Sequence, residues 1–190
     1  MLRNGRSGGS TPALPTTARL VLRNFESTDF DAVHAYASDP IVTRYTNFGP
    51  NTEEETRSFL DRVCAACTAI PRTDYSLAVV ERESKSLIGT IGLVASDTTG
   101  RQHTFGYCFN RAYWGQGLGK EAAAAMVEFG FDALQAHRLW TYVFAGNEAS
   151  ARILQGLGFR QEGLARQSVF ARGAWHDVLN FARLRSDSVA

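Results

Sequence analysis

The sequence predicts a mixed α/β domain in which antiparallel and parallel strands share one sheet. Three strand-like segments follow one another through polar turns over residues 75–110, which is typical of an antiparallel meander. From residue 117 onward, helix-like and strand-like segments alternate, which indicates βαβ-like units with parallel pairing. The chain has 190 residues, 44% of them apolar, and this is enough for one core of ordinary size.

The predicted domain occupies residues 18–184. Residues 1–17 before it are rich in Gly, Ser, Thr and Pro and are expected to form a disordered, mobile tail, with a second short tail at 185–190. No apolar run approaches the roughly 20 residues that would span a bilayer. The segment after Met1 lacks the apolar stretch of a signal peptide, so we expect a cytoplasmic protein.

The predicted elements follow in order along this domain. A first strand over 18–25 precedes a helix that we expect Ser27 to cap. Thr52 and Glu55 form the capping-box pattern that opens a second helix. The remaining segments are four strands, two helices and a closing pair of strands: strands 75–81, 86–95, 103–110 and 138–145, helices 117–135 and 148–157, and the hairpin around Arg172-Gly173.

Charge and cysteine content exclude several functions. With 20 Lys+Arg against 19 Asp+Glu, the chain is too nearly neutral for a dedicated nucleic-acid binder. Cys64 and Cys67 form a C-x-x-C pair inside a helical segment, with no second pair to complete a tetrahedral metal site. They also lack the position at a helix start that lowers a thiol pKa. We therefore expect small buried residues here and at Cys108, and no metal.

The most informative stretch is Tyr113–Ala122, with the sequence YWGQGLGKEA, between a predicted strand and a predicted helix. Its three closely spaced glycines allow backbone N–H groups to converge on an anion, aided by the helix dipole. A Walker A loop is excluded because Glu121 follows Gly119-Lys120. A Rossmann loop would begin directly at the strand end and would need an acidic residue at the end of the next strand, and neither is present.

Four blocks of sequence, in register along residues 18–184, resemble one known family. They are W-G-Q-G-L-G-K-E-A from Trp114, N-E-A-S-A-R-I-L-Q-G-L-G-F at Asn147–Phe159, F-x-x-G-x-W-H-D-V at Phe170–Val178, and an opening with R-L-x-L-R at Arg19–Arg23 and D-P-x-V-x-R-Y at Asp39–Tyr45. Together they resemble the GNAT acyltransferases, in particular the ribosomal-protein N-acetyltransferase (RimJ/RimL-like) branch.

This resemblance implies an acetyl-CoA site. The fourth and fifth strands of the mixed sheet would splay apart between helices on both faces and open a V-shaped slot. The backbone of Cys108 and Phe109 would pair with the pantetheine amides as an added strand does. Asn147 would meet the pantetheine arm, although its position also suits a helix N-cap. Five consecutive loop amides would hold the pyrophosphate: Gln116, Gly117, Leu118, Gly119 and Lys120.

The resemblance also implies catalytic roles. Glu162 would take the proton of the incoming amine, directly or through water, and Glu162→Gln would then lower turnover more than acetyl-CoA binding. Ser150 would hydrogen-bond the departing thiolate. Alternatively, Glu162 is an exposed strand residue and Ser150 is an ordinary serine in the first turn of a helix. The chain carries Leu154 where many GNAT enzymes have a tyrosine general acid, so another group or water must serve.

The acceptor is an amine whose identity the sequence leaves open. The resemblance implies that aromatic residues of the first helices and the last hairpin line the acceptor site: Tyr45, Phe48, Phe170 and Trp175. These aromatic residues could equally belong to the core. We expect direct transfer of the acetyl group to a protein N-terminus or small-molecule amine in a ternary complex, since no Cys has a candidate base nearby. A non-catalytic acyl-CoA sensor and an NAD(P)-dependent oxidoreductase are the alternatives. The branch often forms homodimers.

Overall fold

The computed structural model describes residues 12–187 and shows a seven-stranded sheet in the order β1-β2-β3-β4-β5-β7-β6. The strands are β1 Leu20–Arg23, β2 Leu77–Glu81, β3 Leu87–Ala95, β4 Gln102–Phe109, β5 Arg138–Phe144, β6 Arg160–Ala171 and β7 Ala174–Leu184. β4 and β5 pair in parallel, and the other neighbours pair antiparallel. The predicted mixed sheet is therefore confirmed.

Four α-helices cover the two faces of this sheet. They are α1 Phe30–Ala37, α2 Glu53–Cys67, α3 Leu118–Asp132 and α4 Glu148–Gly156. α1 and α2 share one apolar cluster with Ala78 and Cys108 of the sheet. α3 and α4 share a larger cluster on the opposite face, where Met126 and Leu154 are almost fully buried. Burial of each such side chain contributes about 1.5–3 kcal/mol to the stability of the fold. The predicted helices on both faces of the sheet are confirmed.

The start of the first helix differs from the prediction. Ser27 lies in a short 3₁₀ helix, Ser27–Asp29, and Glu26 is the capping residue. The Glu26 N–H donates to the Asp29 carboxylate at 2.8 Å, and Arg23 donates to both oxygens of that carboxylate. This reciprocal box satisfies the first amides of the turn, so the Ser27 side chain is not needed as a cap.

The capping box of α2 is confirmed. The Glu55 N–H donates to Thr52 Oγ1 at 3.2 Å, and the Thr52 N–H donates to the Glu55 carboxylate at 2.7 Å. Removing such a cap typically costs about 0.5–2 kcal/mol. The box fixes where α2 begins and so positions the helical layer that covers the face on which Cys108 lies.

The chain on either side of the predicted domain also makes contacts. Residues 1–11 and 188–190 of the predicted tails lie outside the described residues. Residues 12–17, predicted to be mobile, instead run along β1: the Leu22 N–H donates to the Pro15 carbonyl at 3.1 Å, and Leu14 packs against the core. Within residues 12–187, no helix is long and apolar enough to cross a membrane.

Candidate active site

A slot opens in the middle of the sheet between β4 and β5. The two strands pair only at their first three residues, from Gln102 opposite Arg138 to Thr104 opposite Trp140. Beyond that point they separate, while β5 continues to pair with β7 as far as Phe144. The expected splay of the fourth and fifth strands is confirmed, and within the described part of the chain no strand pairs with the β5 side of the second half of β4.

The hydrogen-bond alternation of β4 determines which backbone groups face this slot. The Asn110 N–H donates to the Ile88 carbonyl directly opposite it at 2.8 Å. Because bonded and non-bonded pairs alternate along antiparallel strands, Cys108 bonds to β3, whereas Tyr107 and Phe109 direct their N–H and C=O groups toward the slot. The backbone of Cys108, predicted to contact the cofactor, thus faces β3, and Tyr107 and Phe109 are the residues of this segment whose backbone groups face the slot.

Cys108 is also unsuited to act as a nucleophile. Its side chain is 6% exposed and packs in the cluster of α1 and α2. This burial raises the pKa of the Cys108 thiol to about 12, so the thiol is protonated at neutral pH. Cys64 and Cys67 are half-buried residues of α2, and the Cys67 thiol donates to the Cys64 carbonyl at 2.9 Å.

The glycine loop lies at the end of β4 and opens α3. Gly115 and Gly117 both have φ of +76°, a left-handed conformation that favours glycine. Gly117 is the N-cap residue of α3, and no side chain from residues 12–187 caps this helix end. The amides of the first turn therefore have no acceptor within the helix, and together with the helix dipole they form a site suited to an anion. These are the amides of Leu118, Gly119 and Lys120.

An ion pair beside the loop neutralises Glu121, the acidic residue in the first turn of α3. Arg19 and Glu121 approach to 2.6 Å, and the Thr17 hydroxyl donates to the same carboxylate at 2.5 Å. Burial opposes ionisation of Glu121, but these donors outweigh it and lower its pKa. Arg19 also donates to the Gln116 carbonyl at 3.0 Å. Arg19 thus anchors the loop to the first strand, a role that sequence reasoning missed although Arg19 stands in the R-L-x-L-R block.

The beginning of α4 forms the opposite wall of the slot. Asn147 caps this helix, because its Oδ1 accepts the Ser150 N–H at 3.2 Å. The N-cap alternative for Asn147 is therefore what the structure shows, and it leaves the amide NH₂ for other partners. The Lys120 side chain reaches from α3 toward Gly156 at the other end of α4. A positive charge therefore lies between the two helices that flank the slot.

Tyr107 is a site residue that sequence reasoning missed. Its ring packs between Phe105 and Phe109, with ring centroids 5.7 and 5.9 Å away. Its hydroxyl is buried and has no hydrogen-bond partner among the described residues. Burial raises the pKa of Tyr107, and the nearby Ser150 hydroxyl opposes that shift without completing a hydrogen bond of standard geometry. Neither hydropathy nor spacing distinguishes such a tyrosine from a core residue.

Glu162 lies apart from these groups. Arg138 donates to both of its carboxylate oxygens, at 2.7 and 2.5 Å. Glu162 stands on β6, and β7 lies between β6 and β5, the strand that borders the slot. These hydrogen bonds from Arg138 lower the pKa of Glu162. The structure does not support the predicted role of Glu162 as the base, because each of its oxygens accepts a hydrogen bond from Arg138 and its strand does not border the slot.

The four aromatic residues predicted to form the acceptor wall do not come together. Tyr45 packs with Phe144 on the face of the sheet that α1 and α2 cover. Phe170 and Trp175 pack edge to face with ring centroids 5.3 Å apart, and each is about 60% exposed. The residues on either side of Phe170, partly buried Val169 and buried Ala171, face the cluster of Tyr45, so Phe170 points to the opposite face. Phe48 lies half-exposed in the loop after the 3₁₀ helix Val42–Tyr45.

A splayed mixed sheet with a glycine loop at the slot defines an acyltransferase of the acetyltransferase type. Residues 19–160 match the family described as the acetyltransferase (GNAT) domain. The chain belongs to the GNAT family, and it is an N-acetyltransferase. Among residues 12–187, no cluster of His, Cys, Asp or Glu is arranged to hold a metal ion.

Three similar proteins support this assignment. The chain is 32% identical to the uncharacterized N-acetyltransferase p20 of Bacillus licheniformis over 90% of its own length and 96% of that protein. A GNAT-family acetyltransferase of Bacillus anthracis superposes with a TM-score of 0.80 at 28% identity, over 91% of this chain and 99% of that chain. Spermidine N(1)-acetyltransferase of Escherichia coli is 26% identical over 87% and 86% of the two chains.

Proposed function

We propose that this enzyme transfers the acetyl group of acetyl-CoA directly to a primary amine, as its resemblance to the RimJ/RimL-like branch implies. One observation carries the proposal: the unpaired edge of β4 ends at a glycine loop that opens α3. An unpaired strand edge can bind a chain of amides as a further strand would. A loop of free N–H groups at a helix N-terminus binds a pyrophosphate. Acetyl-CoA carries both groups in that order.

The cofactor would lie across the slot from the loop toward α4. The amides from Gln116 to Lys120 would hold the pyrophosphate, with the Lys120 side chain adding charge. The slot-facing N–H groups of Tyr107 and Phe109 and the Tyr107 carbonyl would pair with the pantetheine amides, whereas the Phe109 carbonyl accepts the Trp114 indole N–H. The amide NH₂ of Asn147 would approach the pantetheine arm from α4, since its oxygen already accepts the Ser150 N–H.

Transfer would be direct, without an acyl-enzyme. A thiol with a pKa of about 12, such as Cys108, is a poor nucleophile at neutral pH. Placing an amine and a thioester in reactive contact can supply about 7–11 kcal/mol of the barrier. Because Arg138 occupies both oxygens of Glu162, we assign the removal of the amine proton to water in the slot.

The acceptor would enter on the face of α1 and α2, where Tyr45 packs beside the end of β5. The Arg172 guanidinium donates to the Thr43 carbonyl at 3.0 Å and so ties the last hairpin to this wall. A protein N-terminus and a small amine both meet the chemical requirement. The Escherichia coli relative named for spermidine makes a polyamine the first small amine to test.

The test is isothermal titration of acetyl-CoA, coenzyme A and NADPH, followed by a screen of amines and N-terminal peptides with acetyl-CoA. Micromolar binding of acetyl-CoA, no heat with NADPH and formation of an acetylated amine would support the proposal. Binding without loss of acetyl-CoA on any amine would indicate a sensor. Absence of coenzyme A binding, or binding of NADPH instead, would overturn the assignment of the loop.

A further inference from the structure

The slot holds one hydroxyl group whose position is costly for the fold. The Tyr107 hydroxyl is buried and has no hydrogen-bond partner within residues 12–187. A buried polar group without a partner is generally destabilising. Phenylalanine would fill the same space between Phe105 and Phe109 without that cost. A tyrosine at this position therefore needs an explanation other than packing.

The strand geometry shows what this hydroxyl faces. The backbone of Tyr107 faces the open edge of β4, and its side chain belongs to the apolar cluster of α3 and α4. Ser150, in the first turn of α4, lies near the phenol and lowers the pKa of Tyr107 against the effect of burial. Tyr107 lies two residues deeper in the slot than Phe109, whose ring contacts the helix end at Gly119. A cofactor anchored at that helix end places its thioester farther along β4, toward Tyr107.

We propose that Tyr107 is the general acid that protonates the coenzyme A thiolate as it leaves. This inference rests on the proposed function, because it requires acetyl-CoA in the slot. Burial keeps the phenol protonated at neutral pH, so a proton is available when negative charge develops on sulfur. Among residues 12–187 the hydroxyl has no hydrogen-bond acceptor, and the departing sulfur would be its first.

The proposed transfer forms one C–N bond and breaks one C–S bond. The amine nitrogen attacks the thioester carbonyl carbon, the new C–N bond forms, and the C–S bond breaks with its electron pair on sulfur. The sulfur takes the phenol proton of Tyr107 and leaves as the thiol of coenzyme A. The proton lost by the amine nitrogen passes to water, and water returns a proton to the phenolate by way of the Ser150 hydroxyl.

The test compares Tyr107→Phe with Tyr75→Phe. Tyr75 lies in the same apolar cluster and packs against Phe129, away from the slot. The readout is product formation from acetyl-CoA by mass spectrometry, with the best amine of the screen and, without amine, with water as the acceptor. We expect Tyr107→Phe to lower kcat about 10²–10⁴-fold, the range of general acid catalysis. Its affinity for acetyl-CoA and its thermal midpoint should not fall, and Tyr75→Phe should retain the wild-type kcat.

A second donor separates acid catalysis from a structural role. In acetyl-selenocoenzyme A the leaving selenolate is a much weaker base than a thiolate and departs without a proton. The ratio of wild-type to Tyr107→Phe rates should therefore approach one with the selenoester. An equal loss with both donors, or an unchanged kcat with acetyl-CoA, would overturn the role of Tyr107. If wild-type protein binds no acetyl-CoA, the proposed function itself fails, which the titration shows independently.

Discussion

The position of Glu162 shows how a single ion pair changes the interpretation of a carboxylate. In sequence, this glutamate matches a residue near the incoming amine. In the structure, Arg138 holds both of its oxygens, and the pair lies at the end of the sheet where β4 and β5 are still joined. A carboxylate whose pKa is lowered in this way is a weaker base than a free one. Spacing along the chain does not reveal such a partner 24 residues away.

We predict that Glu162→Gln leaves kcat within about twofold of the wild type, because the residue lies outside the slot. The pair is partly exposed, so its loss should lower the free energy of unfolding by about 0.2–1 kcal/mol. Since the pKa of Glu162 is lowered in the folded state, this contribution is present above the ordinary glutamate pKa and is lost as pH falls through the folded-state value.

Steady-state kinetics and urea unfolding at several pH values would measure these effects. Arg138→Gln is the matched control, since it breaks the same ion pair from the other side. Both variants should lose similar stability near neutral pH and converge with the wild type in acid. A tenfold loss of kcat in Glu162→Gln with unchanged acetyl-CoA affinity would restore the glutamate to the mechanism.

The glycine loop and α3 form a unit whose function depends on backbone conformation. Gly117 must adopt a left-handed φ so that the first amides of α3 point into the slot. Two hydrogen bonds hold the loop in place. Arg19 donates to the Gln116 carbonyl, and the Trp114 indole N–H donates to the Phe109 carbonyl at 2.9 Å. Trp114 therefore connects the loop directly to the end of β4.

We predict that Gly117→Ala weakens acetyl-CoA binding about tenfold or more, which corresponds to 1.4 kcal/mol. An alanine in the left-handed conformation costs about 1–2 kcal/mol, and the loop can relieve that strain by turning its amides away from the pyrophosphate. Titration calorimetry measures the affinity, and circular dichroism the stability.

Gly100→Ala provides the control. Gly100 has φ of +67° in the turn between β3 and β4, with open space around it. Both variants should lose comparable stability, but Gly100→Ala should bind acetyl-CoA normally. Equal affinities in the two variants would mean that the loop at Gly117 does not hold the pyrophosphate.

Much of the fold could be predicted from the sequence, because capping residues and strand patterns are local signals. The Thr52–Glu55 box and the strand order of the meander are examples. The residues of the candidate site could be predicted less well from the sequence. The orientation of the Cys108 backbone depends on which residues of β4 hydrogen-bond to β3. Tyr45 is separated from Trp175 because Tyr45 packs against one face of the last hairpin and Trp175 projects from the other. These are properties of strand pairing, which hydropathy does not encode.

The sheet consists of two parts that meet over only three residues of β4 and β5. A ligand that bridges the slot should therefore stabilise the whole molecule. At a concentration 100 times its Kd, a ligand that binds only the folded state adds about 2.7 kcal/mol. For a protein of this size, 1 kcal/mol corresponds to about 2–4 °C, so we expect coenzyme A to raise the thermal midpoint by about 5–11 °C.

Amide hydrogen exchange measured by NMR would locate that stabilisation. Coenzyme A should slow exchange at Tyr107 and Phe109, because their N–H groups face the slot and gain a partner there. The Cys108 amide should exchange slowly with or without ligand, since it is bonded to β3 in the free protein. The alternation along three consecutive residues makes this pattern specific to a ligand that lies along β4 as an added strand. Protection confined to the loop at Gly117 would instead mean that only the phosphate end of the cofactor binds.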